Sequence, residues 1–150
     1  MGRKIIAVVV GYIAMALLLF ITFTVLYLIL GTEGSFKPGS FEVSTIWVIC
    51  SIIVSFGAAM LGGYVCALIA KNKKTAMILA GLVFVFGIAF AIPELTSPAD
   101  IANKVRPAEL SNTEAMQQAK QPTFTLILNP IIGAFGIFMG ARLRKDEEPV

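Results

Sequence analysis

The chain has 150 residues, a formal net charge of +3 and no histidine; 57% of it is hydrophobic and only 14% charged. A soluble domain carries roughly 25% charged residues, and one this short cannot hide so much apolar surface from water. Composition therefore excludes a disordered chain, a disulfide-stapled secreted module and a free nucleic-acid-binding domain, and it predicts an all-α protein that faces lipid.

The first uncharged run covers residues 5–30. It exceeds the ~20 residues that span a bilayer, and it is too long for the roughly 7–15-residue core of a cleaved signal peptide. It reads as a retained first helix. Arg3 and Lys4 precede it, and the loop after it holds Lys37-Pro38-Gly39-Ser40, a turn signal.

The second run, residues 43–70, carries Ser51, Ser55, Ala59, Gly63 and Ala67 at intervals of four, widened by Gly62 and Cys66. Small residues at this spacing let helix backbones approach closely in lipid, where dispersion has to drive association. Cys50 and Cys66 would lie about 24 Å apart on one helix, too far for a disulfide. Both read as small apolar fillers.

The short Lys71-Asn72-Lys73-Lys74 turn predicts that the second and third helices are antiparallel neighbours. The third run covers residues 75–92 and is expected to end at Pro93-Glu94. The segment 93–122 is the one sizeable loop. Ser97-Pro98 reads as a helix start, and Ser111-Asn112-Thr113-Glu114 as a capping box before Ala115–Lys120. Its apolar Ile101, Val105, Leu110 and Met116 would dip toward the membrane interface.

The fourth run, residues 123–141, carries Asn129, Gly133, Gly136 and Gly140. Asn129-Pro130 predicts a bend and the most polar side chain of any span. Asn129 would hydrogen-bond across the bundle or line a small polar cavity with Ser51 and Ser55.

Basic residues set the expected orientation. Arg3, Lys4, Lys71, Lys73, Lys74, Arg142, Arg144 and Lys145 lie on one side, against Lys37, Lys104, Arg106 and Lys120 on the other. The positive-inside rule then places both termini in the cytoplasm, with the basic groups touching lipid headgroups. Tyr27 and Trp47 fall near the outer ends of their helices, where aromatic anchors sit.

Gly62-Gly63-Tyr64-Val65-Cys66-Ala67-Leu68-Ile69-Ala70-Lys71 fits a Gly-Gly-aromatic-x-x-Ala-x-Ile-Ala-basic closure of the second helix. In this and in layout the chain resembles small four-helix bacterial inner-membrane proteins of uncharacterised activity. The resemblance implies the architecture and a bacterial inner-membrane location. It implies no reaction.

The expectation is thus a single domain of four transmembrane helices. No residue stands out as catalytic, cofactor-binding or metal-ligating, since no acidic or basic residue lies inside a span. Gly62, Gly63, Ala67, Gly133, Gly136 and Gly140 are the candidate packing residues. They serve either contacts within the chain or docking to another membrane protein or a second copy. The functional expectation is a non-enzymatic accessory or assembly subunit with membrane lipids and a membrane protein as partners and no nucleic acid. A small homo-oligomeric channel or transporter for a neutral or small anionic solute is the alternative.

Overall fold

The computed structural model describes residues 2–96, 107 and 109–144. They form five helices: α1 Gly2–Ser35, α2 Thr45–Ala70, α3 Lys73–Thr96, α4 Asn112–Gln118 and α5 Thr123–Leu143. All but α4 are long and apolar enough to cross a membrane. The Ser97-Pro98 helix start, Ile101, Val105 and Lys145 lie outside the described residues.

Helix ends follow local chemistry. α1 breaks at Gly31, where φ is 64°, directly after the first apolar run. Lys37-Pro38-Gly39-Ser40 closes a turn in which the Ser40 N–H donates to the Lys37 carbonyl at 3.2 Å and Gly39 has φ 66°. Ser44 caps α2 by accepting from the Trp47 N–H at 3.1 Å, so the helix starts at Thr45 rather than residue 43. Asn72 accepts from the Lys74 N–H at 2.8 Å, so α3 begins at Lys73. α3 also runs past Pro93 to Thr96, a turn beyond its expected end. A proline this close to a helix end removes only one backbone bond.

The interior is built from small residues and the exterior from large ones. Ala7, Ala58, Ala59, Cys66, Ala67, Ala76 and Ala141 are buried, while Phe90, Ile29 and Leu28 are 77%, 75% and 73% exposed. This inversion of a water-soluble core is what a lipid solvent permits. The chain is a multi-pass membrane protein.

α2 lies between α1 and α5 and packs along both, and α3 packs mainly along α5. Among the described residues α1 and α5 do not meet. Although α2 and α3 share a short turn, each touches α5 more extensively than it touches the other. The expected α2–α3 pairing is therefore secondary, because the glycine-bearing faces of α2 and α5 admit a closer approach.

Candidate functional site

Each predicted packing residue has a definite neighbour inside the chain. Gly62 and Gly63 are adjacent, so about 100° of helix rotation separates them, and they face different helices. A methyl group on Gly62 would lie 2.9 Å from the Gly11 carbonyl oxygen of α1, and one on Gly11 would lie 2.8 Å from the Gly62 carbonyl oxygen. A methyl on Gly63 would collide with the Ile137 carbonyl of α5. One on Gly140 would collide with the Met60 carbonyl of α2, and one on Gly136 would lie 2.7 Å from the Ala59 Cβ. A methyl on Gly133 would lie 3.2 Å from the Val83 Cγ1 of α3, and Ala67 is fully buried. The Gly-Gly pair thus places α2 in the middle of the bundle. These glycines make their close contacts within one chain.

The cleft around Asn129 does not include Ser51 or Ser55. Asn129 lines a cleft of about 300 Å³ between α3 and α5, with Gly87, Phe90, Leu126 and Pro130 among its walls and neither serine. The Pro130 ring seats on Gly87, whose added methyl would lie 2.7 Å from its Cγ. The Ser51 hydroxyl donates to the Val48 carbonyl of its own helix at 2.8 Å. The Asn129 Oδ1 is buried without a hydrogen-bond partner. Such an oxygen costs ~1–3 kcal/mol. Asn129→Leu is therefore expected to leave the thermal midpoint of detergent-solubilised protein unchanged or raise it; a fall of more than a few degrees would show an essential polar role.

Two of the basic residues act on the protein as well as on the membrane side. The Arg3 Nε–H donates to the Ile69 carbonyl at 2.8 Å, and Arg144 donates through Nη1 to the Ala67 carbonyl at 3.2 Å. Arg144 is only 9% exposed. Two helices therefore supply donors to the last-turn carbonyls of α2, which have no partners within it, and the guanidinium charges favour its negative end. Arg142 lies over the Phe138 ring at 4.2 Å, while Lys4, Lys71 and Lys74 remain exposed.

The opposite end carries a built cap. Tyr27 is 6% exposed, buried rather than anchored in headgroups. Its hydroxyl donates to the Leu110 carbonyl at 2.8 Å and lies 3.0 Å from the Thr32 hydroxyl, which is left to donate to it. The Asn112 Nδ2 donates to the Thr24 Oγ1 at 3.3 Å. The Lys120 N–H donates to the Phe41 carbonyl at 2.8 Å, and the Val43 N–H to the Lys120 carbonyl at 3.2 Å. These bonds hold the α4 segment against α1 and the loop that follows it. Tyr27→Phe is expected to cost ~1 kcal/mol and to speed amide exchange in residues 109–120 with little change in the spans. Equal acceleration throughout the chain would contradict the assigned role.

The predicted capping box is present. The Ser111 hydroxyl oxygen accepts from the Glu114 N–H at 3.3 Å, and the Glu114 carboxylate accepts from the Ser111 N–H at 3.1 Å. Hydrogen bonds from the Ser111 hydroxyl and N–H hold the Glu114 carboxyl below its ordinary value. A lowered folded-state value means the contribution is present above the unfolded pKa of ~4.3 and is lost as pH falls through the folded value. Acidification below about pH 4 is expected to fray α4, read as faster exchange at residues 115–119, and Glu114→Gln should flatten that dependence.

No family model, curated protein or solved structure matches this chain. The site is therefore read from its own geometry.

Beneath the cap lies a cavity of about 140 Å³. Phe23, Tyr27, Phe36 and Trp47 form its aromatic walls. Phe23 stacks on Trp47 with ring centres 5.8 Å apart, and Tyr27 meets Trp47 edge-on at 6.4 Å. Ala115 and Met116 of α4 and the following Ala119 close it from above. Ser35, Asn112 and Gln121 also line it, and their Oγ, Oδ1 and Oε1 atoms are buried without hydrogen-bond partners. Phe23 and Tyr27 stand one helical turn apart, a visible aromatic signal in the sequence. Nothing in the sequence brings Ser35, Asn112 and Gln121 to them.

Proposed function

We propose that this is a non-enzymatic accessory or assembly protein of a bacterial inner membrane, with both termini cytoplasmic and the α4 cap presented on the outer face. Its role is contact rather than reaction. The supporting observation is the cap itself, in which α4 is tied to α1 by Tyr27 and Asn112 and to the 36–43 loop through Lys120. A loose connector would not need these bonds, and a pre-ordered surface loses little conformational entropy when a partner docks. Met116, Gln117 and Gln118 are exposed on that surface. The glycine seams are internal, so the partner is expected at the cap and not along the small-residue faces.

Photocrosslinking groups placed at Met116 and Gln117, with Ile53 in a span as control, test this in native membranes. The expected result is one discrete adduct, with another membrane protein or a second copy, from the cap positions only. The adduct should disappear in Gln118→Lys. Lipid adducts alone, together with a clean monomer in mild detergent, would overturn the reading.

A further inference from the structure

We infer that the cavity beneath α4 is a binding site for a small primary ammonium group, a proposal that stands whether or not the cap also docks a partner. Three observations converge. First, the cavity offers three buried oxygens with no partner, on Ser35, Asn112 and Gln121. Ser35 is only 1% exposed, and buried polar atoms in native proteins are almost always paired. Asn112 already uses its Nδ2 on Thr24, which leaves its Oδ1 as an acceptor. Three acceptors match the three N–H donors of a primary ammonium.

Second, Phe23, Tyr27, Phe36 and Trp47 supply aromatic walls, and a cation is attracted to the negative face of such rings. Among the described residues no charged side chain lines the cavity. Third, the space suits a small group. Its 140 Å³ is several times the ~10–15 Å³ needed for one water. Met116 lines the cavity yet is 46% exposed, so the cavity reaches the surface beside α4. The site lies at the end of the spans, where either a free amine or the ammonium of a phospholipid headgroup can enter.

The chain has one tryptophan, and it lines the cavity, so its emission reports occupancy. Protein in phosphatidylcholine nanodiscs, in amine-free buffer, is titrated with ethanolamine and separately with ethylene glycol at matched ionic strength. Ethanolamine is expected to shift Trp47 emission saturably, at roughly 0.1–10 mM for an uncharged site, and ethylene glycol to leave it unchanged. Gln121→Glu adds a carboxylate of the same shape and should tighten ethanolamine at least fivefold, whereas Ser35→Ala should weaken it at least threefold. Asn112→Asp is a second tightening variant should Gln121→Glu fail to fold. In nanodiscs containing phosphatidylethanolamine, loss of the response to free ethanolamine assigns the site to the headgroup; an unchanged response assigns it to a free amine. No saturable shift in either nanodisc, an equal response to ethylene glycol, or no tightening in a folded carboxylate variant would each overturn the proposal.

Discussion

Gly140→Val is expected to prevent formation of the folded bundle. A side chain there meets the Met60 carbonyl of α2, and backbone cannot rotate aside as a side chain can. α2 and α5 would have to separate along the seam that organises the fold. Even Gly140→Ala or Gly63→Ala should cost ~1–3 kcal/mol, the usual range for overpacking, and valine at 140 about 4 kcal/mol or more. The informative controls are Gly57→Ala and Gly81→Ala, where an added methyl meets nothing within 4 Å. Alanine is the better helix former by ~1 kcal/mol, so these should be neutral or slightly stabilising. The measurement is thermal or denaturant unfolding in a single detergent. Equal sensitivity at all four glycines would show that the seam is not what holds the helices.

Arg144→Met carries the second largest effect. Arg144 is 9% exposed, and its guanidinium donates to the Ala67 carbonyl at 3.2 Å. Methionine keeps most of the buried stem and removes the charged donor, so the loss reports the bond rather than the packing. Hydrogen bonds to charged groups contribute ~1.5–3 kcal/mol, and a destabilisation in that range is expected. Arg144→Lys should recover part of it, because an ammonium keeps the charge and loses the planar fork. Lys74 is exposed at the same end, and Lys74→Ala should change stability by less than ~0.5 kcal/mol. If the two positions behaved alike, Arg144 would be a topology charge only.

Much of the architecture was legible in the sequence. Uncharged runs mark the four spans because a bilayer demands length and apolarity together. The Ser111–Glu114 box and the Pro38-Gly39 turn were readable because their chemistry is local, with both partners within four residues. The candidate packing glycines were also visible. Their neighbours were not, since helical periodicity identifies a face and not what it meets. Gly62 and Gly63 read as one widened stripe, yet they serve α1 and α5 separately. Counting charges assigned Arg3 and Arg144 to headgroups, and counting cannot show a guanidinium folding back onto Ile69 or Ala67. Tyr27 read as a lipid anchor because its depth was right, but its hydroxyl reaches Leu110, 83 positions along the chain. The cavity was hidden for the same reason. Ser35, Asn112 and Gln121 are unremarkable polar residues until tertiary packing buries their oxygens together.

Disulfide trapping across the α2–α5 seam tests the central claim most directly. In a background of Cys50→Ser and Cys66→Ala, cysteines replace Ala59 and Gly136. A Cβ on Gly136 lies 2.7 Å from that of Ala59, and a disulfide requires a separation of ~3.8 Å, so a small spreading of the helices suffices. Oxidation in membranes is expected to give a monomeric, internally crosslinked band in high yield. Disulfide-linked dimers in place of that band would mean that the glycine faces join separate chains, and free thiols would mean that α2 and α5 do not meet.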